Sequence, residues 1–370
     1  MERAVHVNLL WCAPGRVGGS EEYLVRQLVG IPESESCAVH LGRSLAAARP
    51  ELARHDLIAY RANVDRRAIR IPVEHSTLAL ATRRAALVHH GGGTLPLIRP
   101  PVPTLLTIHD LQYLRFPQYF SRSRLAYLQS MMPRSARAAT MIATPTAYVA
   151  DDVAHAFGVD RDRIVVVPHG VPTAQVSSEE VRSIRERFMG GSTGRLMVYP
   201  AITHPHKGHQ LLLDVMARWQ HRDDRLVLIG GEGAVEREVR DAIVSLGLTD
   251  RVIRAGRLPA HERDVLMSAA DLMVFPSEEE GFGAPVIEAM AAGTAVVCSR
   301  IGALTEVVGD AGVIAERTVD GVTEGMEQAL SDLDVWANRG RHRAEAFSLE
   351  ASGRALADAY RMAMDRGQGS

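Results

Sequence analysis

The sequence predicts an α/β protein made of two doubly wound domains, each a parallel sheet with helices on both faces. The 370 residues suffice for two cores at roughly 150 residues per domain. Short apolar runs rich in Val, Ile and Leu alternate with helical stretches along the whole chain, the rhythm of strand, helix and parallel strand. That rhythm restarts after the flexible break Gly190-Gly191-Ser192-Thr193-Gly194. No repeat period indicates a solenoid, and no segment is of low complexity.

Composition narrows the class. No apolar run reaches the roughly 18 residues of a spanning helix, and the first ten residues lead straight into a strand without the pattern of a signal peptide. Cys12, Cys37 and Cys298 are odd in number, scattered and without metal spacing, which fits reducing cytoplasm. Residues 1–172 carry 20 Arg against 14 Asp plus Glu, and the remainder 22 basic against 30 acidic. So modest an excess is too small for nucleic acid. It would suit an anionic acceptor, peripheral contact with the inner face of a membrane, or simply a solvated surface.

In the first half, Val5 to Trp11 reads as a strand, and Gly15 to Tyr23 as a glycine loop entering a helix at about Glu21 to Val29, with Ser20 as its cap. Strands follow at Cys37 to Leu41, Leu57 to Tyr60 and Ala86 to His89, with an Arg-rich helical stretch at Ser44 to Arg54. His89 and His90 point to opposite faces of a strand and do not share an ion; Gly91-Gly92-Gly93 then reads as a flexible loop. Thr104 to Ile108 is a β-branched strand that delivers His109 to its C-terminal end, where open α/β sheets bind ligands. Ile164 to Val167 closes the half, Pro168 to Pro172 marks a hinge, and Ser177 to Phe188 reads as a capped linker helix.

The second half places strands at Leu196 to Tyr199, Leu226 to Ile229, Val252 to Ala255, Leu272 to Phe275 and Ala295 to Cys298. Its most informative stretch is Ser277 to Met290, a glycine-interrupted acidic turn between a buried strand and a short helix. Pro285 suits the first helical position and Gly293 the residue after the end. Gly281 and Gly283 let backbone approach a ligand, and free amides at the helix start favour a diphosphate. Glu280 and Glu288, with seven residues between them, would be repelled by that diphosphate and therefore suit neutral hydroxyls, one at a ribose and one at a sugar ring. A solvated acidic loop is the alternative; the glycines, the proline and the buried strand favour the ligand.

Glu280 to Met290 resembles, position by position, the E-G-F-G-x-P-x-x-E-A-M signature of the retaining glycosyltransferases of family 4, whose fold is GT-B: two Rossmann-like doubly wound domains facing across a cleft. The resemblance covers essentially the whole chain. It implies an N-terminal acceptor domain over 1–172, a nucleotide-sugar domain over 173–346, and a helix over 347–370 crossing back. It implies that Glu280 and the amides of Gly281, Phe282 and Gly283 meet donor sugar and phosphates, and that Glu288 holds the ribose. Lys207, in Pro205-His206-Lys207-Gly208, would bind the diphosphate; Gly18 and Gly19 would close over the phosphates; Gly256 would lie near the base; His109 would reach the donor sugar. Tyr113, Arg115 and Gly92 would fall on the acceptor side. Ile202 departs from the family pattern, which often has a second phosphate-binding Arg there, and Thr305 stands where Pro is usual.

The expected activity is therefore transfer of a sugar from a nucleotide-diphosphate-sugar, GDP-mannose as first choice, to a glycan, lipid-linked or small-molecule acceptor, with retention of configuration. No cofactor or metal is expected. Asp160 to Asp162 and Asp332 to Asp334 spell D-x-D without the preceding buried strand that such a metal motif needs, and His204, His206 and His209 are separated by a proline and a bend. A catalytically silent nucleotide-sugar binder and a phosphorylase-like enzyme using pyridoxal phosphate are the alternatives.

Overall fold

The computed structural model describes residues 4–15, 19–99 and 101–368. The chain divides into two compact units, one formed by residues up to Gly170 together with those from Ser348 onward, the other by Val171–Phe347.

The first unit holds seven strands: β1 Val5–Asn8, β2 Ala38–Gly42, β3 Asp56–Tyr60, β4 Leu87–His90, β5 Thr104–Thr107, β6 Met141–Thr144 and β7 Ile164–Val166. They form one sheet in the order β3-β2-β1-β4-β5-β6-β7, every pair parallel. One face carries Val7, Val39, Leu87, Leu105 and Met141 and is covered by the Gly19–Gly30 and Leu349–Gln368 helices. These two helices cross in close contact: a Cβ on Gly30 would stand 1.8 Å from the Leu349 carbonyl oxygen, and one on Gly353 would stand 1.9 Å from the Gly30 carbonyl carbon. Over β5 to β7 the other face packs Leu106, Ile142 and Ile164 against the Arg122–Ala138 and Ala147–Phe157 helices.

Near β1 and β2 that second face is polar. His6 Nδ1 lies 2.8 Å from His40 Nε2, His40 Nδ1 lies 3.0 Å from the Tyr60 hydroxyl, and the Asn8 amide donates to Glu74 at 3.2 Å. Register explains the grouping, since Asn8 stands opposite both His40 and His90 in the ladders.

The second unit holds β8 Leu196–Pro200, β9 Arg225–Ile229, β10 Val252–Gly256, β11 Leu272–Phe275, β12 Ala295–Ser299 and β13 Val313–Ala315. Their order is β10-β9-β8-β11-β12-β13, again all parallel. Nearly continuous apolar runs such as Leu-Met-Val-Phe in β11 are what a sheet buried on both faces requires. In each sheet the first three strands run outward in one direction and the fourth returns to the other side of the first, where the order reverses. Loops leaving β1 and β4, and those leaving β8 and β11, therefore diverge around a crevice at the C-terminal edge of the strands.

Two local expectations change. Ser20 is the second residue of the Gly19–Gly30 helix and does not cap it, because the helix already includes Gly19, two residues before the expected start at Glu21. The glycines after β4 are packing positions: Gly91 and Gly93 are buried, and a Cβ on Gly91 would lie 2.0 Å from a Leu24 methyl carbon.

Candidate active site

The reversal between β8 and β11 brings together two segments more than 70 residues apart. The loop after β8 ends in a tight turn, Pro205–Lys207, followed by Gly208 and the His209–Arg218 helix. Gly208 has φ +72°, and a Cβ there would stand 2.3 Å from the Pro276 carbonyl oxygen, so only glycine lets this turn lie against the loop after β11. The Glu278 amide donates to the His206 carbonyl at 2.7 Å, the Tyr199 hydroxyl donates to the Lys207 carbonyl, and Arg317 donates to the Pro276 carbonyl at 3.3 Å.

On that platform Lys207 Nζ donates to Glu280 Oε1 at 2.6 Å. Both side chains are largely shielded, 17 % and 12 % exposed, so their attraction is less screened than that of a surface pair. The chain then turns through Gly281 and Phe282 to Gly283, which precedes the Ala284–Ala292 helix with Pro285 in its first turn and Gly293 at its end. Phe282 is buried, with its ring edge-on to Phe347 at 5.4 Å. Glu288 sits midway along the helix and is partly exposed. Gly256 ends β10 at the same sheet edge, two strands from β8, and its carbonyl accepts from the Gly230 amide at 2.8 Å.

Behind the platform is an ion-pair network that the sequence reading did not single out. Arg254 donates to Glu236 Oε2 at 2.9 Å and to the Gly231 carbonyl at 3.1 Å. The Thr203 hydroxyl donates to the same Glu236 oxygen at 2.9 Å and accepts from the Gly233 amide at 2.7 Å. Burial pushes the Glu236 carboxyl up, but the hydrogen bonds from Arg254 and Thr203, with the charges of Arg254 and Arg240, more than offset it and hold the group ionised. The network ties the loops after β8 and β9 together. Its signal in the sequence is a charged residue inside an otherwise apolar strand, Val-Ile-Arg-Ala-Gly.

In the first unit His109 follows β5 and is half-buried among aromatic rings, with Tyr23 edge-on at 5.1 Å and Trp11 at 6.0 Å. Its Nε2 lies 2.9 Å from the Gly91 carbonyl. Burial keeps the ring below the ordinary histidine range, with partial opposition from that carbonyl and from Asp110, so the ring is neutral. A carbonyl only accepts, which puts the proton on Nε2 and leaves Nδ1 as an acceptor.

Gly18 lies outside the described residues. Gly19 opens its helix with nothing within 4 Å of where a Cβ would be. Gly92 is exposed, and a Cβ there would meet the Trp11 ring at 2.9 Å. Tyr113 is buried, which pushes its phenol up to about 12, and its hydroxyl has no hydrogen-bond partner among the described residues. Arg115 donates to Asp152 at 2.5 Å and stacks over Tyr148. Of the three histidines near Lys207, His204 and His206 stack on each other while His209 packs on Tyr199. Among the described residues, no three His, Cys, Asp or Glu side chains are grouped to hold a metal ion.

The sequence matches the family model described as Glycosyl transferases group 1 over residues 183–343, and that described as Glycosyltransferase Family 4 over 17–175. It is 30% identical to 2-deoxystreptamine N-acetyl-D-glucosaminyltransferase of Streptomyces fradiae, over 78% of this chain and 73% of that protein. It is 29% identical to O-antigen chain mannosyltransferase B of Escherichia coli, over 69% of each. In fold it is similar to Anabaena HepE in complex with UDP and glucose, with a TM-score of 0.77, 18% identity, and 97% of this chain and 100% of that one covered.

Proposed function

The chain belongs to the family 4 glycosyltransferases, with the GT-B fold, and on that premise we propose that it moves a hexosyl group from GDP-mannose to a hydroxyl of a glycan, lipid-linked or small-molecule acceptor, with retention and without a metal. The observation that carries this reading is the Lys207–Glu280 pair at the reversal point of the second sheet. Lys207 supplies a compact positive charge for the leaving diphosphate, assisted by the amides of Gly281 to Gly283. Glu280 holds that lysine in place and accepts from a hydroxyl of the transferred sugar. We assign Glu288 to the ribose, Gly256 to the base and Gly19 to the phosphates. Front-face attack fits a site whose work is positioning and charge stabilisation, with the diphosphate taking the acceptor proton.

Mannose is favoured by the similarity to a mannosyltransferase; HepE with UDP makes uridine donors the first competitor to test. Lys207 takes over the charge that a metal carries elsewhere. Both D-x-D triplets have structural roles, Asp162 pairing with Arg366 at 3.1 Å and Asp332 capping the Leu333–Glu345 helix. The chain's one lysine is held by Glu280, which disfavours a phosphorylase that needs a lysine for pyridoxal phosphate. Buried, unpaired Cys12, Cys37 and Cys298 fit the cytoplasm.

Screening nucleotide-sugars for thermal stabilisation and slow donor hydrolysis tests the donor, since a ligand at 100 times its dissociation constant contributes about 2.7 kcal/mol. Stabilisation by UDP-sugars and not by GDP-mannose would overturn the donor assignment. Glu288→Ala is expected to weaken nucleotide-sugar and free nucleotide alike, whereas Glu280→Ala lowers turnover and leaves nucleoside diphosphate affinity nearly intact. Equal loss of that affinity in both variants would sink the division of roles.

His109, with Nδ1 as acceptor, is assigned to a hydroxyl of the donor sugar, and Tyr113, Arg115 and Gly92 to the acceptor side. His109→Ala is expected to lower turnover roughly 10²-fold while the protein remains folded. Full activity, or inactivity that tracks unfolding, would make the histidine structural.

A further inference from the structure

The first unit's excess of positive charge is gathered on one side. The stretches 67–84, 94–99 and 122–138 together hold nine arginines and a single carboxylate, Glu74, which is turned inward to the Asn8 amide. The three stretches adjoin. The Leu97 amide donates to His75, Arg67 lies over the Tyr127 ring at 4.3 Å, Thr94 meets the Tyr127 hydroxyl at 3.3 Å, and Arg99 donates to the Ala138 carbonyl at 3.3 Å. Among the described residues, Arg83, Arg84, Arg99, Arg122 and Arg134 are exposed and have no carboxylate partner. Amid them stand three large apolar side chains, Leu80, Leu97 and Ile98, at 63, 51 and 66 % exposure.

Unpaired arginines alone fit any polyanion. Bare Leu and Ile side chains between them are costly in water and have no role on a phosphate backbone, but they fit the boundary between headgroups and acyl chains. No described helix is long and apolar enough to cross a membrane, so the contact is with the surface of one. We propose that this face, formed by residues 67–84, 94–99 and 122–138, docks the protein on a bilayer of anionic lipid, with Leu80, Leu97 and Ile98 entering the interface and the arginines meeting lipid phosphates. The inward side of the same helical run reaches the end of β1, where Arg70 donates to the Trp11 carbonyl at 3.4 Å. A docked protein thus has the lipid surface beside the C-terminal edge of its first sheet, the side assigned above to the acceptor, and a lipid-linked acceptor is the class that this placement serves.

The test is co-sedimentation of the full chain with sucrose-loaded vesicles of phosphatidylglycerol mixed with phosphatidylcholine, and of phosphatidylcholine alone. Partitioning is expected only with the anionic vesicles, weakening as salt rises. An arginine near such a surface is worth about fivefold in partitioning, so Arg83→Glu with Arg84→Glu is expected to lower it at least tenfold. Leu97→Glu with Ile98→Glu is expected to do the same, and Ile98→Ser to lower it measurably with an unchanged thermal unfolding curve. Absence of partitioning overturns the proposal. So does partitioning that ignores Leu97 and Ile98 while a single-stranded RNA oligonucleotide binds as tightly, since that describes a general polyanion surface. The reading involves no sugar transfer, so its failure and failure of the enzymatic assignment are separately visible.

Discussion

Lys207→Ala is expected to reduce the transfer rate by about 10³-fold at saturating donor, and Lys207→Arg by at least about tenfold although the charge is kept. The chain has 41 arginines and this one lysine, so its ordinary surface cations are all arginine and the exception stands where a compact ammonium is wanted. The structure places that ammonium 2.6 Å from Glu280, in a turn pressed against the loop after β11 through Gly208. A guanidinium is planar and wider, and its fork prefers a carboxylate edge to a point between two phosphates. It would pair with Glu280 side-on and move the positive charge away from the diphosphate. Initial rates on variants whose circular dichroism matches the parent decide the matter. Near-normal activity of the arginine variant would leave Lys207 a generic cation.

Mild acid is expected to unfold the protein. Burial is the largest cause lowering His89, His90 and His206 to about 3 and His40 and His209 to about 4. Each is depressed from 6.5, so below that pH the unfolded chain binds protons that the folded chain refuses. Stability is whole above about pH 6.5 and is lost as pH falls toward the folded values. Each histidine contributes a slope of up to about 1.4 kcal/mol per pH unit, and five together about 7, against a typical total of about 5–15. Denaturant unfolding at stepped pH should show stability failing between about pH 6 and 5. A midpoint that stays level down to pH 4.5 would mean that these rings take up protons in the native state as readily as in the unfolded chain, each imidazolium donating to an acceptor there.

Strand positions were legible because sheets buried on both faces require uninterrupted apolar runs, and β8, β9, β11 and β12 spell them plainly. Lys207 and Glu280 could be named individually, the lysine through the family resemblance of Pro205 to Gly208 and the carboxylate from its glycine-interrupted acidic turn. Their contact could not, because it depends on strand order, and order comes from which crossovers pack, a non-local matter. The start of the Gly19–Gly30 helix was misplaced for a related reason: apolar periodicity begins at Tyr23, and the first turn carries none of it. The Arg254–Glu236–Thr203 network escaped because its members come from three separate segments. His6, His40 and Tyr60 on one face of the first sheet become neighbours only through the pairing of three strands that are separate in the sequence.

The close crossing of Gly30 and Gly353 bears on the order of biosynthesis. Leu356, Tyr360 and Ala363 complete the core against the first helix, and the Tyr360 hydroxyl meets His89 at 3.0 Å, yet these residues are made after all of Val171–Phe347. At about 5–20 residues per second, that intervening stretch takes roughly ten to thirty-five seconds to translate. Throughout that interval the first sheet exists without its last cover, while the second unit can already close upon itself. The nascent chain therefore offers chaperones, and neighbouring chains, an uncovered apolar face of known composition for a defined time. Premature termination near residue 348 would leave that face permanently exposed although the second unit is complete.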